Sequence, residues 1–191
     1  MNKNAMLLVL TFGFTLAFSN TYGSVVGVIC LALGYSDSSS SLFGASYITG
    51  SVVGSAFFGA IVEIYKVYRT ATITICALGV VSSALIAGMF FVGSLPLLCG
   101  AFLLTGCSLA LLPVGIDFAV ELTYPVAEPV STGLLMSVGN LIGMVLTLGI
   151  GVIIKNHDQR GAYTSMAILT GTAFFSFLFS LCVKQDLRRL K

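Results

Sequence analysis

The sequence predicts an all-α, polytopic membrane protein with six transmembrane helices, and two observations carry that prediction. The first is composition. Of 191 residues, 57% are apolar and 8% charged, and the mean hydropathy is +1.05. Soluble domains carry about a quarter charged residues. With nine basic and seven acidic side chains this chain cannot cover a water-facing surface of its size. A soluble enzyme, a nucleic-acid binder and a disordered tail are excluded on that ground. The second observation is where the charges are missing. No Asp, Glu, Lys or Arg occurs in 4–36, 38–62, 70–116, 129–154 or 161–183. A membrane helix needs about 20 apolar residues. The runs are too long and unbroken for barrel strands of about 10 alternating residues.

The elements follow in order. The first span is expected over 5–33. Met1-Asn2-Lys3 before an apolar run is also how a secretory leader begins, but this run is about twice as long as a leader core of 7–15 residues. It is read as a span. The second and third are expected over 42–63 and 70–92. The longest gap holds two spans, divided by Gly93-Ser94-Leu95-Pro96, which puts the fourth over 95–118. The fifth and sixth are expected over 130–154 and 162–183, followed by a basic tail, 184–191. Six crossings put both termini on one side. With that side cytoplasmic, Lys3, Lys66, Arg69, Lys184, Arg188, Arg189 and Lys191 lie inside, and Lys155 and Arg160 outside. That satisfies the positive-inside rule.

Glycines and serines crowd two of these spans. Gly50, Gly54 and Gly59 lie on the second, with Ser51 and Ser55. Gly133, Ser137, Gly139, Gly143 and Gly149 lie on the fifth. Small residues let helices approach closely in lipid. Cys30, Cys76, Cys99, Cys107 and Cys182 all fall in apolar runs without metal-ligand spacing, and His157 stands alone. They read as packing residues, and no metal, cofactor or enzymatic chemistry is expected.

Polar side chains deep in lipid need partners. Asn20, beside Thr21 and Tyr22, lies near the middle of the first span, and Asn140 near the middle of the fifth. Asn140 shares a helical face with Gly133, Ser137 and Met144. The two amides either face a common cavity or each bond a neighbouring helix. Asp117 and Glu121, four apart, lie on one side of the fourth helix at its cytoplasmic end, as a gate or an inter-helix bond.

The hairpin Gly59-Ala60-Ile61-Val62-Glu63-Ile64 resembles the Gly-x-x-x-Asp-Arg motif of major facilitator transporters, with Glu63 for the acid and Ile64 for the usual Arg. The stretch from Leu112 through Asp117 to Glu121-Leu122-Thr123-Tyr124-Pro125, then Glu128 and Ser131-Thr132-Gly133-Leu134-Leu135, resembles the feline leukaemia virus subgroup C receptor family. The tail Lys184-Gln185-Asp186-Leu187-Arg188-Arg189 is similar to that family's end of helix twelve. The resemblance implies helices seven to twelve, one half of a major facilitator fold. It implies transport of choline, ethanolamine or heme by alternating access, with no cofactor. It also implies a missing amino-terminal half, or a second chain, as partner. The family's seventh-helix Tyr falls at Asn20, with Tyr22 two residues on, and its eleventh-helix Gln falls at Asn140. On this reading Asn20, Tyr22 and Asn140 bind substrate, and Glu63, Asp117, Glu121, Tyr124 and Pro125 serve gating or structure. The resemblance also places the chain in the plasma membrane ahead of internal membranes. The alternative is a non-transporting scaffold, receptor or regulatory subunit that pairs with a complete transporter.

Overall fold

Several helix boundaries have a local cause. The computed structural model describes residues 3–123, 126–154 and 159–183. The first helix, α1 (Lys3–Ala32), stops at Gly34, whose φ of 86° is open to glycine, and Tyr35 N–H closes the turn on Cys30 O. The second, α2 (Asp37–Tyr65), begins earlier than its apolar run because Ser36 caps it, its side chain accepting from Ser39 N–H, with Asp37 in the first turn. It ends on Lys66 in the left-handed region (φ 54°), whose N–H bonds Val62 O. Next come α3 (Tyr68–Val92), ended by Gly93 at φ 70°, and α4 (Leu95–Gly106), with Pro96 in its first turn.

The fourth crossing is not one continuous helix. A 3₁₀ turn, Cys107–Ala110, separates α4 from α5 (Leu111–Thr123). Pro113 explains the break: it lacks the N–H that Leu109 O would accept in a regular helix, and its ring crowds that carbonyl. The crossing also runs to Thr123, past the expected end at 118, since a carboxylate near the interface does not stop a helix. The chain closes with α6 (Glu128–Ile154) and α7 (Gln159–Cys182). Six helical stretches among the described residues are long and apolar enough to cross a membrane, as the sequence predicts: Asn4–Ala32, Asp37–Tyr65, Tyr68–Val92, Leu95–Thr123, Glu128–Ile154 and Gln159–Cys182. Tyr124, Pro125, Lys155, His157 and the tail 184–191 lie outside the described residues.

The first helix is the hub, packing against α6, α7, α5 and α2, while α2 lies along α4 and α3 along α7. Two apolar clusters fill the interior. One gathers Phe18, Tyr22, Phe43, Phe90, Phe102 and Leu169; the other gathers Leu8, Phe12, Tyr68, Phe118, Leu122 and Leu135. Glycines bring the backbones together, as the small-residue pattern predicts. A Cβ on Gly50 would strike Leu103 O, and one on Gly54 would sit 2.7 Å from Cys107 Cα. A Cβ on Gly139 would lie 2.7 Å from a Leu16 methyl carbon. Hydroxyls tie α1 to α7: Thr15 Oγ1 and Ser176 Oγ are 2.5 Å apart, and Ser176 Oγ donates to Thr11 O at 2.8 Å.

Candidate functional site: an amide pair at mid-span

The close packing of α1 on α6 places the two amides. Gly13 faces Val138, Gly139 faces Leu16, and Gly143 faces Ala17. One turn further, Thr21 Oγ1 lies 3.3 Å from Gly143 O and 3.0 Å from Thr147 Oγ1. Between these contacts Asn20 and Asn140 lie side by side on the exposed edge of the seam, and Asn20 Nδ2 donates to Asn140 Oδ1 at 3.3 Å. The structure brings these two sequence-predicted residues together. Gly133, Ser137 and Met144 are exposed on the same helix, and Ser24 Oγ bonds Asn20 O at 2.8 Å. A single amide–amide bond leaves capacity over. Asn20 Oδ1 can still accept, and the Asn140 Nδ2 hydrogens can still donate. The edge therefore presents uncharged donors and acceptors together.

Tyr22 is not brought to this edge. It is 4% exposed and points into the core, about 200° round the helix from Asn20. There its ring lies 5.4 Å from Phe18, 5.9 Å from Tyr47 and 5.9 Å from Phe102. The aromatic box is filled by its own members. Tyr47, which the sequence reading did not single out, also donates from its hydroxyl to Ser19 O at 3.0 Å, immediately before Asn20. No spacing signal marks it, because an apolar-run tyrosine reads as an interface or core residue alike.

A second polar region lies at the end where α2 turns into α3. Asp117 and Glu121 project into an open cavity of about 260 Å³, which Lys66, Tyr68, Val120 and Glu128 also line. The spacing of four does put both carboxylates on one side. Oε2 of Glu121 is shielded from solvent without a hydrogen-bond partner. Glu63 is exposed at the end of α2 and does not line this cavity. Lys66 and Glu128 joined the cluster through tertiary packing that no local pattern encodes. Among the described residues no group of three or more His, Cys, Asp or Glu could hold a metal.

Six long apolar helices among the described residues define a multi-pass integral membrane protein, with a polar seam at mid-span. No family model matches the chain. It is similar to the choline/ethanolamine transporter FLVCR1 of Mus terricolor, 28% identical over 155 residues, covering 76% of this chain and 26% of the relative. It is also similar to the choline/ethanolamine transporter FLVCR2 of Homo sapiens, 26% identical over 198 residues, covering 100% of this chain and 36% of the relative. An uncharacterized MFS-type transporter of Caenorhabditis elegans is 24% identical over 193 residues, covering 100% of this chain and 32% of the relative. The resemblance read from the Glu121–Pro125 block thus extends over most of the chain. The chain spans roughly a quarter to two-fifths of the length of the curated relatives it matches.

Proposed function

We propose that this chain supplies the carboxy-terminal half of a major facilitator transporter. In this reading it moves a small amphiphilic or cationic metabolite, choline- or ethanolamine-like or heme, by alternating access. The observation that carries the proposal is the Asn20–Asn140 pair, two amides from different helices bonded on an exposed edge at mid-span. Exposed amides at that depth are costly against lipid alone, and a water-filled path with polar guests resolves the cost. The pair reads a hydroxyl or amine by donating and accepting at once. A quaternary ammonium would draw its attraction from aromatic faces, at about 0.5–2 kcal/mol per ring. Tyr22 acts in this scheme from behind, as part of the wall that fixes the first helix. Asp117 and Glu121, with Lys66 and Glu128, shape the cytoplasmic gate, and rocking about a fixed site supplies the access. Plasma membrane and cytoplasmic termini complete the proposal.

The test is Asn140→Leu in the full-length protein, with radiolabelled choline uptake as readout. Removing one hydrogen bond of about 1 kcal/mol raises KM about fivefold. Unchanged KM and rate at normal surface expression would remove the amide pair from the site.

A further inference from the structure

We propose that a single buried water molecule occupies the joint between α1 and the broken fourth crossing, held by Ser19. Ser19 is 2% exposed, and its Oγ has no hydrogen-bond partner. Its neighbours behave differently. Thr11 donates back to Leu7 O, Thr15 to Thr11 O, Ser24 to Asn20 O, Thr105 to Ala101 O and Ser108 to Thr105 O. Ser19 makes no such bond to the carbonyl of Thr15. A buried hydroxyl without any partner costs about 1–3 kcal/mol, so native structures fill such positions.

The space it needs is there. Ser19 lines a cavity of about 10 Å³, shared with Phe12, Thr15, Ser108, Leu109 and Leu111. That volume sits at the threshold for one water, about 10–15 Å³. The cavity abuts the 3₁₀ turn, where Pro113 cannot supply an N–H to Leu109 O. The Ser108 oxygen keeps lone pairs after its donation to Thr105 O, which together with Ser19 Oγ gives the water two partners, the fewest it requires. A metal cation is a poorer occupant. None of the residues lining the cavity is ionisable, and a buried charge without a counter-charge is far more costly than a neutral guest. The water joins the turn of α1 that carries Asn20 to the point where the fourth crossing changes direction. This assignment does not depend on the transport reading.

The experiment is a structure of the full chain in a lipid mesophase, at a resolution that shows ordered water, for wild type and Ser19→Ala. The expected result is one density peak about 2.7–3.0 Å from Ser19 Oγ, lost in Ser19→Ala. An empty wild-type cavity overturns the proposal, as does Ser19 Oγ turned onto Thr15 O. A peak with the shorter contacts and higher coordination of a cation, responding to exchange of sodium for potassium, overturns it as well.

Discussion

Gly50 and Gly149 lie on two helices of similar composition, yet a methyl group at each meets opposite surroundings. At Gly50 it would collide with the backbone carbonyl of Leu103, which cannot move aside without carrying α4 with it. At Gly149 nothing lies within 4 Å. Gly50→Ala is therefore expected to destabilise the chain by about 1–3 kcal/mol, the usual cost of overpacking. Gly149→Ala is expected to stay within about 0.5 kcal/mol of wild type. Thermal unfolding of both variants in one detergent checks this, and equal midpoints would refute the close α2–α4 contact. The pair also marks the limit of the sequence reading. Gly50, Gly54, Gly139 and Gly143 do meet neighbouring helices, but Gly59, Gly133 and Gly149, from the same stripes, have nothing within 4 Å. Spacing reveals which residues share a face. It does not reveal which face another helix will cover. The same limit applied to Tyr22, whose direction depends on the packing of α2 and α4 around it.

At the scale of elements, long charge-free runs made the six crossings legible, because lipid demands their length. What was not legible was the inside of the fourth. Pro113 lay in a run read as one helix, and a proline in a membrane helix either kinks it or is absorbed by neighbours. Here the chain answers with a 3₁₀ turn clamped between glycines. Gly54 lies against Cys107, and Gly79 leaves 3.3 Å between its Cβ position and Ser108 Cβ. Pro113→Ala restores the missing N–H. The expected outcome is slower hydrogen exchange at residues 109–113, measured by mass spectrometry on the reconstituted chain. Unchanged exchange there would mean that the glycine clamps impose the break and the proline only fits it.

The whole molecule is asymmetric in two ways, and both bear on how it sits in the bilayer. In an apolar 18-residue stretch of α1, 61% is buried inside the chain, against 22% in the corresponding stretches of α2 and α6. Val52, Val53 and Phe57 on one helix, and Leu141, Val145 and Leu148 on the other, face outward as apolar stripes. Most of the described ionisable groups, by contrast, collect at one end, Asp37 and Arg160 excepted. Lys66, Asp117, Glu121 and Glu128 line one cavity, and Arg69 Nε donates to Val183 O at 2.8 Å, closing the last helix at that same end. The opposite end is aromatic, with Tyr35 against Phe43 and Phe90, and Phe91 stacked on Tyr163 at 5.0 Å. On the positive-inside rule we propose that the charged end is the cytoplasmic one. In a Cys182→Ser background, Ser38→Cys in the exposed start of α2 should react with a membrane-impermeant maleimide on intact cells. Tyr65→Cys, exposed at the far end of the same helix, should react only after permeabilisation. The reverse pattern would invert the protein and move the acidic cavity to the outer face. There it could no longer serve as a cytoplasmic gate, although the amide pair at mid-span would keep its place.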